Sequence, residues 1–163
     1  GAGGSPGNRP SKDGSSVPYI TNADIEQWIG TATLVELTDD TGTGAIDTAR
    51  VDEARLGAEG EADSYLATRY AVPVDVSSEP DLEAVLKIFI LDLAAYRLHS
   101  RRPPTPGDIV RRREEAVAWF LRVATGDVQL PTALAAAENP ALGTIGQAVG
   151  LKRSMTRDSL EDI

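Results

Sequence analysis

Apolar residues recur with a helical period in three long stretches of the chain. Residues 48–70, 80–101 and 106–125 each place apolar side chains every three or four positions, which is the spacing of one helix face. The middle stretch is apolar on nearly all sides, so we expect it to form the most buried helix. Pro73 follows the first stretch and Gly126 follows the third, and both residue types commonly end helices. The pattern predicts an all-α fold, a small helical bundle of three long helices.

A short N-terminal helix is predicted ahead of the three long ones. Three polar residues can cap its first turn: Thr21, Asn22 and Asp24. Ile25 and Ile29 lie on its apolar side, and Gly30 ends it. A further short helical turn is predicted over residues 33–37.

The two ends of the chain differ in composition from the helical part. Residues 1–18 are rich in Gly, Ser and Pro and lack the apolar core of a signal peptide, so they are predicted to form a flexible, extended N-terminal arm. Residues 131–163 carry scattered apolar side chains without a long helical stripe. We therefore divide the chain into an arm (1–18), a helical domain (19–130) and an extended C-terminal docking tail (131–163).

The residue inventory argues against most catalytic chemistry. The chain has no Cys and a single His, His99, so disulfides, thiolate zinc sites, a Cys nucleophile and a cage of several His are excluded within one chain. The Gly-rich segment 143–150 lacks the Lys of a phosphate-binding loop. No Ser-His-Asp arrangement is apparent, and no apolar run is long enough for a transmembrane helix. We predict neither an enzyme nor a bound cofactor.

The segment ELTDDTGTGAID, residues 36–47, resembles a calcium-binding EF-hand loop in its acids and glycines. With Gly44 at the sixth position of such a loop, Thr41 and Thr43 stand where carboxylates are expected, and Arg50 stands where a bidentate Glu is required. The simpler interpretation is a structural connector without metal. Its predicted residues are Asp39, Asp40, Gly42, Gly44, Ile46 and Asp47, with the glycines permitting a positive φ and the Ile packing onto the core.

Charge is distributed unevenly along this acidic chain, whose net charge is −9. Residues 20–66 contain eleven acids and two bases, whereas residues 97–113 contain six Arg and one acid. The arginines of this second segment, called here the Arg set, are Arg97, Arg101, Arg102, Arg111, Arg112 and Arg113. The two regions could meet between copies of the chain, the Arg set could bind a polyanion, or both could be solvated helix faces. Charge alone favours the last interpretation.

Six segments occur in an order that resembles the Mu-like phage family of head–tail connector (adaptor) proteins. They are ITNADIEQWI, LTDDTGTGAID, EADSYLATRYAVPV, DLAAYRLHSRR, EEAVAWFLRVATGDVQL and TRDSLEDI, and the resemblance covers about residues 19–163. The strongest is residues 62–66 (ADSYL), followed by Arg69, Tyr70 and Pro73. Thr41 and Thr43 depart from the family's more acidic loop.

The resemblance implies a structural virion protein. Such adaptors are helical-bundle subunits of a ring, typically dodecameric, that lies between the portal and the stopper or tail, with viral DNA passing through the bore. It implies location in the virion, after assembly in the host cytoplasm, and no membrane partner. An alternative is a small helical nucleic-acid-binding regulatory protein that uses the Arg set.

Two sets of residues are predicted to make contacts in such a ring. A closed ring needs two different, complementary patches on each subunit, so we expect the acidic surface of 20–66 to face the Arg set of a neighbour. Residues 151–163 are expected to form an assembly arm that docks on the portal, a neighbouring subunit or the stopper. Its predicted contact residues are Leu151, Arg157, Leu160 and Ile163.

Overall fold

The described part of the chain is helical throughout. The computed structural model describes residues 18–131, and within this range it contains five α-helices and no β-strand. The helices are α1 (Asn22–Ile29), α2 (Thr31–Thr38), α3 (Thr48–Leu66), α4 (Pro80–His99) and α5 (Gly107–Thr125). The predicted all-α class is confirmed. Residues 1–17 and 132–163, which contain nearly all of the predicted arm and tail, lie outside the described residues, as do Leu151, Arg157, Leu160 and Ile163.

The two short helices share one glycine. Thr21 caps α1, because its hydroxyl accepts the backbone N–H of Asp24 at 3.2 Å while the Asp24 carboxylate accepts the backbone N–H of Thr21 at 2.8 Å. Gly30, with φ of 93°, ends α1 and immediately precedes α2. The short turn predicted over 33–37 is part of a complete helix, so the chain has two short helices before α3 rather than one.

Two long helices end earlier than their apolar spacing predicts. Helix α3 stops at Leu66 instead of residue 70, because the backbone N–H groups of Thr68 and Arg69 bond three residues back, to Tyr65 and Leu66. Helix α4 stops at His99 instead of residue 101, with a similar bond at Arg101. The apolar stripe continues past such an end: Tyr70 is buried although it follows α3.

The three long helices contact one another, and α1 and α2 each pack on α3 and α4. Helix α4 contributes eight buried residues, more than any other described helix. It is the most buried of the described helices, as predicted, although Val85 and Ile88 in its N-terminal half are 38% and 45% exposed. The short α1 and α2 leave part of this face open.

An aromatic cluster joins the long helices inside the core. Phe120 of α5 is fully buried and stacks on Tyr65 of α3, with ring centroids 6.0 Å apart. Phe89 of α4 lies 5.0 Å from Trp119 and 6.3 Å from Phe120. Rings at these separations add specific attraction to their buried area, so the cluster holds α3, α4 and α5 together.

Two tyrosines fasten both ends of the described domain to the connection between α3 and α4. The Tyr19 hydroxyl accepts the backbone N–H of Val74 at 2.7 Å and donates to the Asp63 carboxylate at 2.8 Å. The Tyr70 hydroxyl accepts the backbone N–H of Leu130 at 2.9 Å. Burial raises the pKa of the Tyr19 hydroxyl well above its ordinary value, so this hydroxyl stays protonated and keeps donating to Asp63.

Two glycines inside α3 allow a matched stability test. A Cβ added at Gly60 would meet no neighbouring atom within 4 Å, so Gly60→Ala should raise the free energy of unfolding by about 1 kcal/mol through helix propensity alone. At Gly57 the same Cβ would lie 3.0 Å from Arg97 Nη1, so Gly57→Ala should gain less. Urea unfolding measures both. An equal gain at the two sites would contradict the position of Arg97 against Gly57.

Candidate functional site

Asp40, in the loop between α2 and α3, is the centre of one group of ion pairs. Its carboxylate binds the guanidinium groups of Arg101 and Arg102 at the end of α4, the second at 2.9 Å, and Arg50 Nε lies 3.6 Å away. Arg101 also donates to the Leu37 carbonyl at 2.6 Å. The C-terminal end of α4 is therefore fastened to the α2–α3 loop by both side-chain and backbone acceptors.

Glu61 of α3 is the centre of a second group. Arg97 Nη2 of α4 lies 2.9 Å from Glu61 Oε2, and Arg113 Nη2 of α5 lies 3.0 Å from Glu61 Oε1. The Arg113 guanidinium also lies 4.7 Å from the centre of the Tyr96 ring, within range of a cation–π interaction. One carboxylate thus links all three long helices.

The structure brings the predicted acidic region and the Arg set together within one chain. Four members of the Arg set bind Asp40 or Glu61, and both acids belong to the acidic region 20–66. Of the remaining two, Arg111 pairs with Glu115 on its own helix at 3.8 Å, and Arg112 lies near Asp92. Pairing of the Arg set with the acidic region of a neighbouring subunit stays a prediction. To form such pairs, four of the arginines would have to share or exchange their carboxylate partners within the chain.

Asp92 is a buried acid to which the sequence analysis assigned no role. It is 7% exposed, on α4, and its Oδ1 atom has no hydrogen-bond partner within residues 18–131. Burial raises the pKa of its carboxyl, and the Trp28 indole and the Arg112 charge oppose that rise. Its position in the sequence could have drawn attention to it, because Asp92 is the only acid in the apolar stretch from Val85 to Ala95.

The EF-hand-like loop is closed on itself by Asp39. Its carboxylate accepts the backbone N–H groups of Thr41, Thr43 and Gly44 at 3.2, 3.0 and 2.6 Å. These bonds, led by the one from Gly44, lower the pKa of Asp39 to about 2. In a calcium loop, the carboxylate at the first position binds the cation. Here the oxygens of that carboxylate, Asp39, accept backbone N–H groups of the loop instead.

The rest of this loop leads directly into α3. Gly42 and Gly44 have φ of 74° and 73°, which only glycine adopts readily. Ile46 is partly buried against the core, and the Asp47 carboxylate caps α3 by accepting the backbone N–H of Ala49 at 3.0 Å. Within residues 18–131 no group of three or more His, Cys, Asp or Glu side chains is placed to hold a metal ion.

The hydrogen bonds to Asp39 make the stability of the loop depend on pH in the acidic range. Because the pKa of Asp39 is lower in the folded chain than the ordinary 3.8, its contribution is complete above about pH 4 and is lost as the pH falls towards 2. Asp39→Ala should lower the melting temperature at neutral pH and flatten its decline between pH 4 and pH 2. Glu114→Ala, which removes an exposed acid of α5, is the control. Identical pH profiles for wild type and Asp39→Ala would contradict this role.

The absence of calcium binding remains a prediction with a direct measurement. Calorimetric titration of the chain with millimolar calcium should show only the heat of dilution, because Arg50 occupies the twelfth position and Asp39 is already satisfied. A saturable heat signal that Asp39→Ala abolishes would overturn this expectation.

Comparisons with known proteins bear on the family of the chain. No helix among residues 18–131 combines the length and apolar character needed to cross a membrane. No curated protein matches the chain. The family model described as Bacteriophage Mu, Gp36 matches residues 19–147, which is most of the sequence. The match begins at Tyr19, one residue after the described range begins, and stops before the TRDSLEDI segment.

The match confirms the phage part of the predicted resemblance. It includes five of the six segments that carried that resemblance, and it supports a structural or morphogenetic role in a phage. Because the matched region spans all five helices and both ion-pair centres, the chain belongs to the Bacteriophage Mu Gp36 family.

Proposed function

We propose that the protein is a head–tail adaptor whose copies form a ring between the portal and the stopper or tail. The observation that carries the proposal is the family match over residues 19–147, together with the ordered motifs that resemble connector proteins. DNA passes through the bore of this ring during packaging and ejection. The ring assembles in the host cytoplasm and remains in the virion.

The charges of the chain are compatible with this role. A net charge of −9 disfavours tight binding of DNA and allows it to slide past an acidic surface. A closed ring uses two different patches on each subunit, and apolar side chains such as Val72 and Leu121 are exposed and available for such contacts. Exposed ion pairs between neighbouring subunits would determine how the subunits align, and they would add little to the affinity between them.

The alternative of a nucleic-acid-binding regulator receives less support. Its argument rests on the Arg set, and four of these arginines already bind carboxylates of the same chain. Arginines that contact phosphates have to exchange such partners, which weakens their contribution to DNA binding.

The adaptor role is tested by removing the gene product from an infection. Phage lacking the protein should accumulate separate heads and tails, and supplying the wild-type chain should restore joined particles in electron micrographs. Joined, infectious particles without the protein would refute the adaptor role. Affinity for duplex DNA that falls steeply with salt, measured on the purified chain, would favour the regulator instead.

Deleting residues 151–163 tests the predicted assembly arm in the same assay. The truncated chain should still fold and retain the helicity of the described domain, because all buried residues of the described core lie before position 131. It should fail to restore joined particles. Full restoration by the truncated chain, or loss of its folding, would exclude the arm.

A further inference from the structure

One face of α4 lies open between the other helices. Ala84, Ile88, Leu91, Ala95 and His99 recur every three or four residues, and they line two cavities along about 22 Å of the helix. Within residues 18–131, no close backbone approach joins α1 or α2 to α5, and the stripe between them is exposed at Ile88 but buried at Leu91 and Ala95. The cavities have volumes of about 370 and 250 Å³. We call this surface the α4 groove.

The α4 groove combines exposed apolar area with a buried, unsatisfied acceptor. Trp28 lines both cavities and is 40% exposed, and Ile88 on the floor is 45% exposed. Asp92 follows Ile88 by one turn, and its carboxylate is within reach of Trp28 and Arg112, which also line the cavities. Its Oδ1 atom has no partner within the described residues. Exposed apolar side chains around an unpaired buried oxygen are typical of a surface that another segment covers.

The charges of the α4 groove indicate what kind of segment covers it. Among the ionisable side chains that line it or lie beside Asp92, Asp24 pairs with Lys87 at 2.7 Å and Glu115 pairs with Arg111 at 3.8 Å. Two acids, Asp92 and Asp108, then remain against one base, Arg112, if His99 is counted as neutral. A complementary segment therefore carries basic residues together with apolar side chains that fit the two cavities.

Such a segment exists in this chain beyond the described residues. Residues 151–157, LKRSMTR, place Leu151 and Met155 four positions apart and carry three bases and no acid. From Pro131, an extended chain reaches Leu151 over about 65 Å, which is longer than the α4 groove. Residues 1–17 contain only one large apolar side chain, Val17, and therefore fit the two cavities less well.

We propose that residues 151–157 of this chain dock in the α4 groove, with Leu151 and Met155 against Trp28 and Ile88 and a basic side chain directed towards the buried Asp92. The segment comes from the same subunit or from a neighbouring copy, because the connecting chain is long enough for both. The inference concerns the purified chain itself and stands independently of the adaptor role.

Disulfide trapping in the full chain tests this docking, because the wild type has no Cys to interfere. Ile88→Cys combined with Met155→Cys should form a disulfide at least about tenfold faster than Leu56→Cys combined with Met155→Cys. Leu56 is the matched control, since it is an apolar residue 60% exposed on α3, outside the α4 groove. Gel mobility then distinguishes a bond within one chain from a bond between two copies, and either supports the proposal.

Other occupants give different results, and each would overturn the proposal. Equal rates for the two pairs would show that the tail does not select the α4 groove. Faster trapping of Ile88→Cys with Ser15→Cys would identify the N-terminal arm as the occupant. Equally fast dimers of Ile88→Cys alone would show that two grooves meet each other.

The rate of disulfide trapping also tests the role of Asp92 in docking. Adding Asp92→Asn to the Ile88→Cys and Met155→Cys pair should slow trapping severalfold while leaving helicity unchanged, because the charge that attracts the basic segment is removed. The same loss should appear when Lys152, Arg153 and Arg157 are replaced by Gln. Unchanged trapping rates in both variants would refute the predicted contact between the basic segment and Asp92.

Discussion

Leu86→Asp should abolish folding of the helical domain. Leu86 lies on α4 at 1% exposure, within the core shared by the three long helices. Truncating such a side chain to Ala costs about 2–5 kcal/mol, and a buried carboxylate without a partner adds several more. Domains of this size are typically stable by about 5–15 kcal/mol, so the variant should lose most of its stability. Far-UV circular dichroism at 25 °C and urea unfolding measure the effect.

The control for Leu86→Asp lies two residues away on the same helix. Ile88 is 45% exposed, so Ile88→Asp places its charge in water and should retain helicity and a cooperative transition. Phe89, which is only partly buried beside Trp119, should give an intermediate loss. A Leu86→Asp protein as helical and as stable as the Ile88→Asp protein would contradict the buried position of this face of α4.

Glu61→Lys is expected to have the second-largest effect. The substitution places a third cation where Arg97 and Arg113 converge, and it removes the carboxylate that links α3, α4 and α5. Each like-charge pair at such distances costs up to about 4 kcal/mol at intermediate dielectric, and partial exposure of the arginines reduces that cost. We expect the free energy of unfolding to fall by about 2–4 kcal/mol.

Salt dependence separates this charge effect from a loss of packing. Raising the ionic strength should restore part of the stability of Glu61→Lys, because salt screens repulsion among the three cations. Glu114→Lys, which makes the same charge change at an exposed position on α5, should lose less than about 0.5 kcal/mol. A deficit of Glu61→Lys that is independent of salt would contradict the electrostatic explanation.

The helices were predictable because apolar spacing directly reports which side of a helix faces the core. Ile90, Leu93 and Leu98 of α4 are buried as that spacing requires. The helix ends were less predictable, since the stripe of α3 continues to Tyr70 although the backbone leaves the helix after Leu66. Three-residue backbone bonds end a helix without changing the apolar pattern, so spacing alone does not reveal them.

The partners of the charged side chains were not predictable from the same pattern. Glu61 lies 36 positions before Arg97 and 52 before Arg113, so their meeting depends on how three helices pack. Asp39 is different, because its partners lie only two to five positions along the chain and glycines mark the turn. Local contacts of this kind follow from sequence, whereas the ion-pair centres at Asp40 and Glu61 require the fold.

The two tyrosine contacts at the α3–α4 connection also define how the domain would respond to tension. The bond between Tyr19 and Val74 and the bond between Tyr70 and Leu130 tie the beginning and the end of the described domain to the α3–α4 connection. A force applied through the two chain ends would therefore enter at one pole of the bundle and peel the helices apart one contact at a time. The opposite pole, where Asp40 binds Arg101 and Arg102, would stay unstrained until late in such an extension. Single-molecule pulling from the two termini should thus show a low rupture force, and pulling between the two poles a higher one.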